Sequence, residues 1–498
     1  MAVKSRIDDT PEIGPDILDT PAAGPIVIRG AAMRLGGYAM SALLGVAAMA
    51  LLFRHLGVED GGRFVAIVAL VALFGGVTDV GLATIAVREL TVRSRRDRHS
   101  FFRSVLGLRL VTAVAGAVVA TAFAAVAGYG VTLVIGTVLA GIGFVLQSVQ
   151  LTLAAPLYTK LRQGWVAALE VLRWIAFALF VAALVGLGAS LLPFLAVTIP
   201  AGVLVLGLTG SLVRSEVSLR PNFAVAPWVG LLKEALPFAI SVAVASAYFR
   251  IAVVLVSLLL TAEETGYFAA SYRVIEALVI IPQLAIGTAF PILARAAGID
   301  SERFAYGVRR LFEALLLFGG WVVLCLVLGA SLAIDVIAGP DFDPAATILR
   351  IQGFALLASF IAVLWSYALL GLRRHGDLLV MTLVPLAVTT VLTVVLAVEY
   401  GTKGAAVATV IGDGTMAVVG AILLARTARF TPVSWASFVR VAVAAAAGAS
   451  VAWIPGIPVI LELVLATIVY FAVLLVVRGI PRELLVELRS LRPQHGEG

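Results

Sequence analysis

Residues 51–90 read LLFRHLGVEDGGRFVAIVALVALFGGVTDVGLATIAVREL. They close one apolar helix, make a short polar turn from Arg54 to Arg63, and open a second apolar run of roughly 22 residues that ends on Arg88-Glu89. A hydrocarbon layer about 30 Å thick needs about 20 such residues at 1.5 Å each, and a soluble core helix of that length would carry a polar face. The stretch therefore reads as the end of membrane span 1, an outer turn and span 2, with Asp79 inside span 2. A carboxylate at that depth needs a partner or water.

The bulk composition agrees. Of 498 residues, 61% are hydrophobic and only 13% charged, with a mean hydropathy of +1.09. A soluble protein carries about 25% charged residues, so this is an all-α polytopic membrane protein. The formal charge of +7 sits mostly on arginines in short connections, which is a topology and lipid-contact signal and gives no reason to expect a nucleic-acid partner. Cys325 has no second thiol to pair with, and His55, His99, His375 and His495 fall in separate loops and the tail, so neither a disulfide framework nor a metal site is expected. No cofactor is called for.

Apolar runs near 31–53, 64–86, 105–127, 131–153, 165–186, 189–213, 229–260, 267–293, 312–335, 345–371, 377–398, 404–425, 436–453 and 457–477 predict about fourteen helices. The connections and tails on one side hold 25 Lys and Arg, including Arg93, Arg95, Arg96, Arg98, Arg309, Arg310, Arg373 and Arg374, whereas the other side holds only Arg54, Arg63 and Lys403. That asymmetry predicts both termini in the cytoplasm and an even number of spans. No connection exceeds about 20 residues, which leaves no folded soluble domain and argues against an enzyme. Any site must lie within the membrane.

Residues 1–28, with five acids and four prolines, read as a flexible cytoplasmic tail, and residues 479–498 as a second tail with a short amphipathic helix laid on the inner leaflet. Between them an internal repeat is visible at an offset of 204 residues: Glu59-Asp60-x-Gly62-x-Phe64-x-Ala66 aligns with Glu263-Glu264-x-Gly266-x-Phe268-x-Ala270. Short outer turns can also match by chance. A true repeat would divide the chain into an N-lobe at 29–220 (spans 1–6) and a C-lobe at 221–430 (spans 7–12), with spans 13 and 14 appended at 431–478.

The pattern Leu56-Gly57-x-Glu59-Asp60-x-Gly62-x-Phe64, the segment Thr78-Asp79-x-Gly81-Leu82 and the following Arg88-Glu89-Leu90 resemble the polysaccharide-biosynthesis flippases (Wzx-like) of the multidrug/oligosaccharidyl-lipid/polysaccharide (MOP) exporter superfamily. So do EETGYFAASYRVIEAL from Glu263 and VIAGPDFDPAATILRI from Val336, and the resemblance covers about residues 30–430. It implies a flippase of the inner cell membrane that carries a polyprenyl-diphosphate oligosaccharide from the cytoplasmic to the outer leaflet by alternating access. Membrane lipids and the glycosyltransferases or polymerase of glycan assembly are the implied partners. The alternative is a drug or small-molecule exporter of the same superfamily, which would be expected to have a net acidic cavity.

Eight basic residues fall within the spans. Arg109, Lys233 and Arg440, near inner helix ends, are expected to snorkel. Arg34, Arg173, Arg250, Arg273 and Arg350 lie deeper, where a charge facing lipid costs roughly 2.5 to 3.5 kcal/mol. Helical spacing puts Arg34, Tyr38, Ser41 and Gly45 on one face of span 1; Ser246, Arg250 and Ser257 on one face of span 7; and Arg273, Glu276, Gln283 and Gly287 on one face of span 8.

The resemblance implies that spans 1, 2, 7 and 8 line a central cationic cavity, and guanidinium suits a diphosphate because it offers paired donors and keeps its proton. Candidate substrate-binding residues are Arg34, Arg54, Arg250, Arg273, Glu276 and Gln283, with Arg34–Asp79 and Arg250–Glu276 as candidate pairs that can be either structural or substrate-facing. Similar flippases often have an acid after the Arg-x element of span 7, but here Arg250-Ile251 is followed by Ala252, so the coupling candidates are Asp79, Glu276 and Asp413. Pro282, near the middle of span 8, is a candidate bending point.

Overall fold

A computed structural model describes residues 23–79, 81–92, 95–160, 162–428, 433–477 and 479, and among them every regular element is helical. Twelve continuous helical segments are long and apolar enough to cross a membrane. Two of them are each a pair of spans joined at a glycine with positive φ, Gly57 at +72° and Gly401 at +59°, which makes fourteen spans among the described residues. A side chain at either position would strain this backbone, so glycine is what lets a span end and the next begin without a loop. The protein is a multi-pass membrane protein.

The spans are 23–56 (1), 58–77 continued by Leu82–Val92 (2), Arg95–Val126 (3), Val131–Leu153 (4), Gln163–Gly186 (5), Leu191–Ala196 with Thr198–Val213 (6), Val225–Leu259 (7) and Ala262–Ile299 (8). The remainder are Ser301–Ile337 (9), Pro344–Gly371 (10), 375–400 (11), 402–428 (12), Trp435–Ala449 (13) and Val459–Val476 (14). Several run further than their apolar stretch, because charged turns at the Arg88 end remain helical outside the hydrocarbon. Span 9 is an example: its first turn is capped by Asp300, whose carboxylate accepts from the Glu302 and Arg303 amides at 3.1 and 3.0 Å.

Spans 1 and 2 pack on span 5 and also on spans 7 and 8, while spans 13 and 14 pack on each other and on span 9. One close meeting is at the Gly57 end. There, a Cβ on Gly62 would lie 2.5 Å from the Ala262 carbonyl, and one on Gly266 would lie 2.1 Å from the Val58 carbonyl. The contact is reciprocal, each glycine facing the carbonyl four residues before the other, and these are the glycines that align at the 204-residue offset. Only a missing side chain allows two helix starts to touch this closely. Phe53, Phe64, Phe268 and Phe342, at most 3% exposed, fill the space around it, with Phe53 and Phe342 edge-to-face at 5.2 Å. Span 8 begins here with a capping box: Thr261 Oγ1 accepts from the Glu264 amide, and Glu264 accepts from the Thr261 amide.

One expectation needs correction here. Span 2 does not run unbroken through Asp79: it stops at Val77 and resumes at Leu82, with Gly81 at φ +65°. Pro282, the candidate bending point, sits buried within a helix that continues from Ala262 to Ile299. The tail predicted at 1–28 lies largely outside the described residues, and the amphipathic helix predicted after Pro481 lies entirely outside them.

Candidate functional site

Residues of spans 1, 5, 7, 8, 10, 11 and 12, with Ile337 at the end of span 9, line a cavity of about 570 Å³. A volume of this size is within the range of small-ligand sites. Its polar residues come from several spans because each contributes one face: Tyr38 and Ser41 from span 1, Glu170 from span 5, Arg250 from span 7, Arg273, Glu276 and Gln283 from span 8, and Asp413 from span 12.

On one wall, Glu276 receives two guanidiniums. Arg250 Nη1 donates to its Oε1 at 2.5 Å and Arg273 Nη1 to its Oε2 at 2.8 Å. One carboxylate neutralises one of two arginines, so the cluster is left with a positive charge, and all three side chains keep between 23% and 30% of their surface accessible. Arg273 Nε is buried and has no hydrogen-bond partner, which leaves a charged donor unsatisfied. The positive charge can receive an anion without first breaking an existing pair.

A second polar group lies across spans 7, 10 and 12. The Asp413 carboxyl, half-buried at the cavity wall, accepts from the Tyr248 hydroxyl and from Ser359 Oγ at 2.6 Å. Span 11 closes on it tightly: Thr389 Oγ1 fills the space a Cβ on Gly412 would occupy. Asp413 is thus surrounded by hydroxyls, where Glu276 is surrounded by guanidiniums.

The predicted residues divide clearly. Arg250, Arg273, Glu276, Gln283 and Asp413 come together in the cavity. Arg54 does not: its guanidinium donates to the Asp335 and Val336 carbonyls at 2.8 and 3.1 Å, tying span 1 to the last turn of span 9, where the helix dipole favours a cation. The Arg34 side chain lies outside the described residues. The break in span 2 turns Asp79 toward span 3, where Arg109 Nη1 donates to Oδ1 at 2.6 Å and Arg109 Nε to the Ser148 carbonyl at 3.3 Å. Arg109 is 3% exposed, so it is a buried structural partner and not a snorkelling side chain.

Among the described residues, the charged groups lining the cavity are two arginines and three acids, Glu170, Glu276 and Asp413. The cavity is segregated, cationic at spans 7 and 8 and acidic elsewhere. Sequence reasoning missed Glu170, Trp174, Tyr248 and Ser359. Glu170 and Trp174 had left a signal, since they are four residues apart on one face of span 5 and Trp174 Nε1 donates to Glu170 Oε1 at 3.2 Å.

Residues 27–297, more than half of the chain, match the sequence profile of the polysaccharide biosynthesis protein family. The chain belongs to that family. No curated protein sequence matches it. Among solved structures, the lipid II flippase MurJ in an inward closed conformation superposes with a TM-score of 0.74 at 15% identity, covering 88% of this chain and 97% of that one. An inward-facing multidrug resistance transporter of the MATE family in the MOP superfamily gives 0.62 at 14% identity, over 80% and 98% of the two chains. A MOP superfamily transporter from Pyrococcus furiosus gives 0.57 at 16%, over 82% and 96%. The fold of this family member is that of the MOP transporters.

Proposed function

We propose that the chain is a flippase that moves a lipid-linked oligosaccharide across the cell membrane, its diphosphate seated on Arg250 and Arg273, its glycan in the cavity and its polyprenyl tail in lipid. The observation that carries this reading is the shared carboxylate: two guanidiniums on Glu276 leave one positive charge at a cavity within the membrane. Guanidinium forks match phosphate oxygens in pairs, and a ligand that completes them gains charge-assisted bonds. Membership in the polysaccharide biosynthesis family and the MOP fold support the same reading.

In this proposal both termini are cytoplasmic, so the Gly57 end faces outward, and residues 29–220 and 221–430 form two lobes that rock about the cavity, with spans 13 and 14 appended. The reciprocal Gly62–Gly266 contact is then the outer closure, and transport requires it to open. Asp413 is the coupling carboxyl: hydroxyl partners tolerate either its ionised or its protonated form, which a guanidinium partner would not. Glycosyltransferases or a polymerase acting on the same glycan are the expected partners.

The acids of the lining favour a second reading, export of a small organic cation. Transport separates the two. In cells that depend on this chain, Arg250→Ala or Arg273→Ala, at normal protein level, should cause lipid-linked oligosaccharide to accumulate in the inner leaflet, with poor rescue by Lys. Normal glycan export by both variants, together with loss of cation resistance on Asp413→Asn, would favour the exporter.

A further inference from the structure

The part of the cavity lining drawn from spans 1 and 5 has a composition of its own. Trp174 of span 5 lines it, and the benzo ring faces span 1 at Gly45, where a Cβ would lie 3.1 Å from a ring carbon. The missing side chain lets the ring seat directly on span 1. Beside it, both hydrogen bonds to Glu170, from Trp174 Nε1 and from the Arg173 guanidinium, end on Oε1, and among the described residues Oε2 has no partner. Ser41, on the same wall, is 3% exposed with a buried hydroxyl that makes no hydrogen bond. Tyr38, one helical turn before Ser41, adds a second aromatic ring and a hydroxyl.

We infer that Trp174, Glu170 and Ser41 form a pyranose subsite that recognises the sugar next to the diphosphate. The chemistry is selective for that class. A pyranose has one face of C–H groups that packs on an aromatic ring, and a rim of hydroxyls that donate to a carboxylate and exchange hydrogen bonds with a serine. A phosphate would be repelled by Glu170. This assignment rests on the flippase reading and extends it: the cationic wall sets the charge of the substrate, and the span 1 and 5 wall sets which glycan is carried.

The test measures affinities of the full-length protein in nanodiscs for two probes, a short-chain prenyl diphosphate and the same molecule bearing one pyranose. The wild type should prefer the glycosylated probe by about tenfold, the scale of one aromatic contact plus one charge-assisted hydrogen bond. Trp174→Ala and Glu170→Gln should each remove much of that preference, and Gly45→Ala, which displaces the ring from its seat on span 1, should lower it part of the way. Arg250→Ala should weaken both probes and keep the ratio. Because Glu170→Gln preserves side-chain size, it reads the subsite even where Trp174→Ala folds poorly. A tenfold ratio that persists in Glu170→Gln and Gly45→Ala, or a wild type with equal affinity for both probes, overturns the subsite and leaves the diphosphate reading standing. A wild type that binds neither probe overturns both.

Discussion

Asp79 and Asp413 look alike in sequence, each a lone carboxyl in an apolar run, but the fold gives them opposite surroundings. Asp79 lies in the break of span 2 and accepts from Arg109, a guanidinium that is 3% exposed. Asp413 lies in an unbroken helix at the cavity wall and accepts only hydroxyl donors, from Tyr248 and Ser359. The first arrangement fixes a charge, because a buried guanidinium with no carboxylate is strongly unfavourable. The second leaves the charge free to change, because a hydroxyl can turn to donate or accept. Asp79 is therefore suited to holding spans 2 and 3 together and Asp413 to working.

Asp79→Asn gives the sharpest break between them. It strands the Arg109 charge and should cost about 3 kcal/mol, seen as a lower unfolding midpoint in detergent and less monodisperse protein. Adding Arg109→Gln should restore at least half of the loss, and a double variant as unstable as the single one would show that the pair does not hold the fold. Glu276→Gln extends the comparison to a third acid. Its two guanidiniums face a cavity with room for water, so its loss should cost about 1 to 2 kcal/mol and should raise affinity for a prenyl diphosphate. An unchanged or lower affinity would argue that Glu276 positions the arginines more than it neutralises them.

Asp413→Asn should change stability by less than about 1 kcal/mol, since the amide still pairs with both hydroxyls, and should stop transport in a cell-based complementation assay. Full transport would remove Asp413 from the coupling role. The smallest effect expected is that of Ser359→Ala: about 0.5 kcal/mol in stability and a partial loss of transport, because Tyr248 still donates to the carboxyl. A Ser359→Ala loss as large as that of Asp79→Asn would erase the distinction between the two aspartates.

Residue by residue, legibility followed the range of the interaction. Arg250, Arg273 and Glu276 were readable because spans 7 and 8 are consecutive and their polar faces repeat at helical spacing, so depth along each helix could be counted. Gly62 and Gly266 were readable as an aligned pair, although their mutual contact was not. Arg54 was misplaced because a carbonyl partner 281 residues away leaves no mark in composition. Glu170 was passed over because its neighbour Arg173 makes it look like an ordinary local ion pair.

The sequence by itself determined that this chain crosses a membrane fourteen times and that charges lie inside the spans, because the width of the hydrocarbon layer and the cost of burying a charge act on each helix separately. Which charge meets which was decided only by tertiary structure. A break at Gly81 turned Asp79 to Arg109, and the packing of distant spans set Arg250, Arg273 and Glu276 in one cavity with Trp174 and Glu170. Side-chain pairing depends on the rotation of each helix about its axis, and that rotation is fixed by neighbours distant in the chain.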